Sequence, residues 1–435
     1  MTCFVVIADD LTGAMDAGVQ MLKKDYVVRV TLDVNKISEW QNESDVIIVS
    51  TESRNIPEVQ AYECIAETLK EFKKENCRII YKKIDSTLRG NVGIELKAVL
   101  EHGDVDGVIM APALPFNGRT TVNGVHYVYG SPLEHTELAK DPYAPVFESE
   151  ISKIIHEQYG IEVGIIDIRA IRNGRESVIS EIEKNLNGGK RLMVADAIDD
   201  GDLRNIVKAC GGYSKRILLC GSAGLFTYID KMGQLNREPG HRRMRLPRRK
   251  KSSPILVLSG SPANMSKLQI EKLEKECKRA FILRCNISEY LNDEEKFQAV
   301  CKESICQVIE KLQNGYHVVV DASGYSKENI LNQYQDNRSD LLMAGKKILN
   351  YLEEISAVAV TNVNLRGLVL FGGDTAVAVI KRLGAYGVEI TGEIEPYIPL
   401  GIMIGGMHER VPVVTKSGGF GREDSLVSII KKLVQ

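Results

Sequence analysis

Short apolar runs rich in β-branched residues alternate with amphipathic helical segments along most of the chain, and this rhythm limits the fold more than any other feature. "CFVVIA" (3–8), "VVRVTL" (27–32), "DVIIVS" (45–50), "RIIYKKI" (78–84) and "GVIMA" (107–111) read as buried strands. "EVGIID" (162–167), "RLMVAD" (191–196) and "RILLCG" (216–221) continue the series. Residues 59–76 carry apolar side chains at helical spacing, with charges on the opposite face. Strand, helix and strand in this order imply right-handed crossovers and a mostly parallel sheet. The rhythm breaks at 114–148, where "GRTTVNGVHYVYGSPL" reads as a hairpin.

A boundary follows. Residues 233–254 hold two glycines, three prolines and eight arginine or lysine residues, with little that builds a core. Beyond them the rhythm restarts with "PILVLSG" (254–260), "YHVVVDAS" (316–323), "GLVLFGG" (367–373) and "GIMIGG" (401–406). The 435 residues exceed the roughly 250–300 at which single cores tend to split. The expected architecture is therefore α/β: two α/β domains with mostly parallel sheets. The first spans 1–234, a basic linker 235–253 and the second domain 254–435, with ligand sites expected at the interdomain cleft.

Composition removes several functions. With 56 basic and 58 acidic side chains the net charge is −2, so no global field recruits nucleic acid or an anionic membrane. The basic run "HRRMRLPRRKK" (241–251) reads as a solvated linker without stacking aromatics. Nine scattered cysteines, an odd number with no CxxC pair, suit reduced thiols in the cytoplasm. No apolar stretch approaches a membrane span, and the N-terminus lacks the pattern of a signal peptide.

In open α/β sheets, ligands bind beyond the carboxyl ends of the strands. At the first such end, Asp9 and Asp10 stand side by side, Thr12 is placed to cap a helix starting near Gly13, and Asp16 follows. One acid there merely complements the helix dipole, worth about 0.3–1 kcal/mol. Two adjacent acids repel, and need a metal ion, a substrate hydroxyl or an arginine as partner. "KKIDSTLRGN" (82–91) brings Lys83, Asp85, Ser86, Thr87 and Arg89 to another strand end, with Gly90 for close backbone approach. An arginine fork matches a carboxylate, and carboxylates match sugar hydroxyls. "APALPFNGRTTVNG" (111–124) adds Asn117, Arg119 and Asn123. The first two of these turns together describe a pocket for a small polyhydroxylated acid.

The second half carries different chemistry. "LSGSPAN" (258–264), "FGGDTAVAV" (371–379) and "TKSGGFG" (415–421) are glycine-rich strand ends. Backbone amides in such loops bind anions, phosphate above all. There is no GxxxxGK[ST] and no GxGxxG.

In order, "ADDLTGAMDAGVQ", "KKIDSTLRGN", "GRTTVNG", "SGSPAN", "GGDTA" and "TKSGGFG" resemble the four-carbon acid sugar kinase family. The resemblance spans nearly the whole chain. It implies an N-terminal acid-sugar-binding domain, a C-terminal nucleotide-binding domain and ATP-dependent phosphorylation of a C4 sugar acid at its terminal hydroxyl. "DAGVQMLKK" is more similar to the threonate and erythronate branch than to the 3-oxo-tetronate branch. Asp16, Lys83, Ser86, Arg89, Asn91 and Arg119 would then bind the acid. Ser261, Gly372, Gly373, Asp374, Thr375, Lys416, Gly418 and Gly419 would bind ATP. Asp9, Asp10, Asp85 and Asp374 are the candidates for catalysis, one of them orienting the acceptor hydroxyl. Mg²⁺ is expected with ATP, its protein ligands left open. The expected partners are the sugar acid and ATP, with no nucleic acid and no membrane; the oligomeric state stays open, a homodimer included. The rivals are a 3-oxo-tetronate kinase and a nicotinamide-dependent hydroxy-acid dehydrogenase, the latter disfavoured without GxGxxG.

Overall fold

The computed structural model describes residues 4–140, 144–233, 241–285, 293–322, 338–406, 408 and 410–435. The candidate linker thus begins, at 235–240, outside the described residues. The chain divides into two compact units, Met1–Arg242 and Arg243–Gln435, and each is α/β. Among the described residues no helix is long and apolar enough to cross a membrane.

The first unit contains β1 (Phe4–Ala8), β2 (Val28–Thr31), β3 (Val46–Ser50), β4 (Arg78–Lys83), β5 (Gly107–Ala111), β6 (Arg119–Val122), β7 (Val125–Val128), β8 (Ser131–Pro132), β9 (Gly164–Ile166), β10 (Leu192–Ala195) and β11 (Ile217–Gly221). Eight of these form a parallel sheet in the order β2-β3-β1-β4-β11-β5-β10-β9. Val5, Val6, Ile7, Ile47, Ile48, Val108, Ile109 and Met110 are fully buried, which is why these strands read as continuous apolar runs covered on both faces.

The order reverses between β1 and β4. From β1 the chain crosses outward to β2; from β4 it crosses the other way to β5. Right-handed crossovers therefore put helix Leu11–Leu22 and helix Val92–His102 on opposite faces of the sheet. Consecutive lysines confirm it, because neighbouring strand residues point to opposite faces. Lys82 pairs with Glu95 of the second helix at 2.5 Å, while Lys83 Nζ lies against Gly13 of the first. The crevice of a switch point opens between such strands at their carboxyl ends. Pairing of Ala8 with both Ser50 and Lys83 keeps the three ends level.

The expected hairpin is a separate antiparallel ribbon, β6-β7-β8. Its Asn123-Gly124 turn has positive φ at both residues, +53° and +73°, the geometry that favours this dipeptide in two-residue hairpins.

The second unit contains β12 (Ile255–Ser259), β13 (Ala280–Arg284), β14 (His317–Asp321), β15 (Gly367–Phe371), β16 (Gly387–Glu395), β17 (Ile398–Ile404) and β18 (Pro412–Lys416). Their order is β13-β14-β12-β15-β18-β17-β16. β17 runs antiparallel to both neighbours, and the other pairings within the unit are parallel. Helices Asn264–Glu276 and Ser425–Val434 close one core over Ile255, Val257, Val369 and Val414. This sheet reverses between β12 and β15, where Ser259 pairs with Phe371, and Phe371 pairs in turn with Lys416.

Candidate active site

The crevice between β1 and β4 holds the first set of predicted residues. Asp9 is buried and Asp10 partly buried. Their partner is Arg54, on the loop after β3. Its Nε and Nη2 donate to the two Asp9 oxygens at 2.8 and 2.9 Å, and its Nη1 and Nη2 donate to Asp10 at 2.9 and 2.6 Å. One guanidinium thus grips two carboxylates bidentately. The sequence left the partner open among a metal ion, a substrate hydroxyl and an arginine, and did not point to Arg54, which lies 45 residues from Asp9 in a polar loop. The helix cap also differs from expectation. Helix Leu11–Leu22 starts two residues earlier than expected, and Asp10, not Thr12, caps it by accepting from Gly13 N at 3.0 Å. Thr12 Oγ1 instead donates to Asp10 Oδ2 at 2.5 Å. Thr12 is the second residue of the helix, already inside its first turn, so the cap position falls to Asp10.

The loop behind Arg54 is held by predicted residues. Asn91 Nδ2 donates to the carbonyls of Ser53 and Ile56, both at 2.8 Å. A Cβ at Gly90 would lie 2.6 Å from the Arg54 carbonyl, and its φ of +88° suits glycine, so the close approach expected of Gly90 is made to this loop.

Asp85 follows β4. Its Oδ2 accepts from Thr87 Oγ1 at 2.5 Å and Arg89 Nε at 2.6 Å. Arg119, reaching over from β6, donates through Nη1 to Ser86 Oγ. Lys83 Nζ donates to the Ile84 carbonyl at 2.8 Å. Asp16 lies on the second turn of its helix, partly buried, and its backbone carbonyl accepts from Gln20. Burial works to raise the Asp85 carboxyl, but Arg89 and Arg54 overcome it and hold the group well below the usual carboxylate range. Burial likewise opposes ionisation of Asp9, and Arg54, with Lys82 and Lys83, outweighs it in the same direction. Lys82 is buried too, yet Glu95 and Asp9 keep it charged. The cluster is therefore an alternation of fixed charges, most of them already hydrogen-bonded to one another.

The second set gathers at the other switch point. A Cβ at Gly418 would fall 1.9 Å from Ser261 Oγ, and one at Gly260 would meet Thr375 Oγ1 at 2.6 Å. Gly372, with φ +102°, sits directly before helix Gly373–Arg382 and faces the Ser261 side chain. Gly419 has open space around it, and Asp374 is exposed in the first helical turn. Bare backbone, two hydroxyls and a helix N-terminus thus converge in a cradle suited to phosphate. Lys416 turns inward. Its ammonium donates to the carbonyls of Ser417, Gly418 and Phe420 at 3.0–3.1 Å and lies 4.4 Å from the Phe371 ring centroid. Asp374 is the one carboxylate at this cradle among the residues singled out from the sequence, which suits a Mg²⁺ that takes its remaining ligands from phosphate and water. Among the described residues no group of three or more acidic, histidine or cysteine side chains forms a metal cage.

Arg54→Met leaves two carboxylates in the crevice without their cation and is expected to cost about 3–5 kcal/mol in chemical denaturation. In the native protein the Asp9–Arg54 contribution is present above the unfolded carboxyl pKa of roughly 3.9 and is lost only as pH falls through the lower folded value. In the variant Lys82 and Lys83 still favour the charged form, but burial is no longer offset by Arg54, and the Asp9 carboxyl rises from its native value. The gap between variant and native protein therefore narrows as the solution is acidified, and a gap independent of pH contradicts the charge assignment.

Two family models match the chain: a sugar-binding N-terminal domain over residues 4–229 and a nucleotide-binding C-terminal domain over residues 256–426. The D-threonate kinase of Salmonella typhimurium LT2 is 30% identical over 430 residues, covering 97% of this chain and 96% of that protein. The D-erythronate kinase of Heliobacterium modesticaldum is 29% identical over 442 residues, covering 100% and 98%. A 3-oxo-tetronate kinase from Pseudomonas savastanoi is 26% identical, covering 98% and 96%. A crystal structure from Salmonella typhimurium LT2 shares the fold, with a TM-score of 0.80 at 21% identity over 99% of this chain and 100% of that one. With its two domain models and its relatives matched end to end, the chain belongs to the four-carbon acid sugar kinase family.

Proposed function

We propose that this chain transfers the γ-phosphoryl group of ATP to the terminal hydroxyl of a four-carbon sugar acid, D-threonate or D-erythronate. One observation carries the reading. Fixed carboxylates and arginines occupy the switch point of the unit matched as sugar-binding, and a glycine-lined cradle occupies that of the unit matched as nucleotide-binding. The end-to-end match to kinases of both acids supports it.

Phosphoryl transfer needs in-line positioning and neutralised charge more than covalent help. Arg89 and Lys83 are assigned to the substrate carboxylate, and Asp9, Asp85 and Ser86 to its hydroxyls. Asp10 already accepts four hydrogen bonds, the full capacity of a carboxylate, so its part is to hold Arg54. A strong general base has a pKa near the working pH. Asp85 is held far below that by its arginines, so its role is to orient the acceptor hydroxyl. Ser261 Oγ, the amides of 373–375 and the amides of Gly418 and Gly419 are assigned to the phosphates. Mg²⁺, reached from Asp374, would neutralise phosphate charge.

The deciding assay is ADP release with Mg²⁺-ATP against D- and L-threonate, D- and L-erythronate and their 3-oxo forms. Turnover on a threonate or erythronate isomer is the expected result. Turnover confined to the 3-oxo forms moves the chain to that branch, and silence on all of them overturns the reading. In the same assay Arg89→Ala is expected to raise KM for the acid at least about tenfold, the loss of one charge-assisted hydrogen bond, with KM for ATP unchanged.

Lys416 predicts a pH effect. Burial pulls its ammonium down to about 7, against roughly 10.4 when unfolded. Because the folded value is the lower one, the penalty of burying the charge is complete below pH 7 and is relieved as pH rises toward 10. The loop responds oppositely, since a neutral amine has two N–H groups for three carbonyls. KM for ATP is therefore expected to rise as pH passes 7. Lys416→Met should raise KM for ATP at pH 6.5 and flatten that profile; an unchanged profile removes Lys416 from the loop's control.

A further inference from the structure

His126 lies on β7 directly opposite Thr121 of β6. It is fully buried, and both ring nitrogens are engaged. Nε2 lies 2.9 Å from the Ser86 carbonyl and Nδ1 lies 3.0 Å from Thr121 Oγ1. A carbonyl only accepts, so Nε2 carries the proton; Nδ1 of the neutral ring then accepts from the threonine hydroxyl. Burial drives the imidazole pKa down to about 4, which keeps that neutral form near physiological pH.

The same ribbon holds Ser86 at a second atom, because Arg119 at the start of β6 donates to Ser86 Oγ. Ser86 is therefore gripped at its carbonyl and its hydroxyl from one rigid piece of antiparallel sheet. That piece is itself pinned to the main sheet beyond β10. The Asp196 carboxylate accepts from the turn amides of Asn123 and Gly124, both at 2.9 Å. Thr121 and Ala197 exchange backbone hydrogen bonds of 2.9 and 3.0 Å. His126 N donates to the Ser149 carbonyl at 2.8 Å. The ribbon thus joins the end of β10 to the loop after β4, across a sheet in which β11 and β5 intervene.

We infer that His126 is a positioning residue for the sugar-acid site: by hydrogen-bonding the Ser86 carbonyl from a pinned hairpin, it sets where Asp85, Ser86 and Arg89 meet the substrate. This rests on the sugar-acid reading of that crevice. His126 touches no substrate; it acts through Ser86, and nothing in the 82–91 motif reveals it. Its leverage comes from the loop itself. Leu88 adopts φ +60°, and one backbone bond closes the turn, from Leu88 N to the Asp85 carbonyl at 3.1 Å; the bonds of Thr87 and Arg89 to Asp85 hold its acidic side, while Ser86, between Asp85 and Thr87, is held from the hairpin.

The test uses the full-length enzyme and three variants. Glutamine places an N–H where Nε2 stood, asparagine reaches only the Nδ1 position, and leucine supplies neither. His126→Leu and His126→Asn are expected to raise KM for the sugar acid by about tenfold, the effect of leaving one buried acceptor unsatisfied, with KM for ATP unchanged. Hydrogen exchange of the amides in 84–91 should quicken in both, while those of helix Val92–His102 keep their native rates. His126→Gln should restore both readouts toward native values. If glutamine and asparagine behave alike, or if exchange in 84–91 matches the native protein in all three, the positioning role is overturned. If leucine prevents folding, the glutamine–asparagine pair decides alone. Absence of turnover by the native enzyme on any C4 acid would refute the kinase reading instead, and the exchange comparison would still decide the role of His126.

Discussion

One guanidinium holds the front of the first unit together. Asp9 and Asp10 leave a strand buried from Val5 to Ala8 side by side, and their mutual repulsion in a crevice of low dielectric would disfavour any fold that left them alone. Arg54 removes that obstacle by forking onto both. Because Asp10 also caps helix Leu11–Leu22, the same four hydrogen bonds join the end of β1, the loop after β3 and the start of that helix. The rest of the crevice is arranged around this joint. Gly90 is bare where the Arg54 backbone passes, Asn91 ties down the carbonyls beside it, and Gly13 leaves room for Lys83. The polar groups are oriented before any ligand arrives, so little reorganisation is left for the moment of binding.

The two units solve different recognition problems at the same topological place. Each puts its candidate ligand groups where the strand order of a parallel sheet reverses. In the first unit the strand ends carry long charged side chains, which suit the lone pairs and hydroxyls of a small acid. In the second they carry mainly glycine and serine, with Lys416 turned inward beneath the loop. Polyphosphate is recognised by many N–H groups at close range, and a Cβ at Gly418 would strike Ser261, so small residues are what let the loops converge. Both units are α/β sheets with a reversal of strand order, but the residues at the reversal differ, and it is these rather than the fold class that set what each crevice can hold.

Much of this architecture was legible in the chain, because the signals that define it are local. Apolar runs marked the strands, the "NG" dipeptide marked the hairpin, and the strand-end motifs brought the reader to both switch points. What was hidden depends on distant partners. Arg54 sits in "TESRNIP", which reads as an ordinary polar loop; its role appears only when β3 lies beside β1. Lys82 and Glu95 look like surface charges on a strand and a helix until both are found buried and paired. His126 alternates with apolar neighbours and reads as one more strand residue. The Thr12 cap was misjudged for a related reason: either Asp10 or Thr12 can cap by composition, and the closer carboxylate took the amide.

Lys416 gives the nucleotide loop an unusual character. Three carbonyls and an aromatic face around a single positive charge are the kind of coordination a dissolved monovalent ion would otherwise supply. Here the cation is covalently tethered, so it cannot be diluted, exchanged or outcompeted. The loop is thereby folded around a charge carried by its own chain, and that charge is one the surrounding pH can remove.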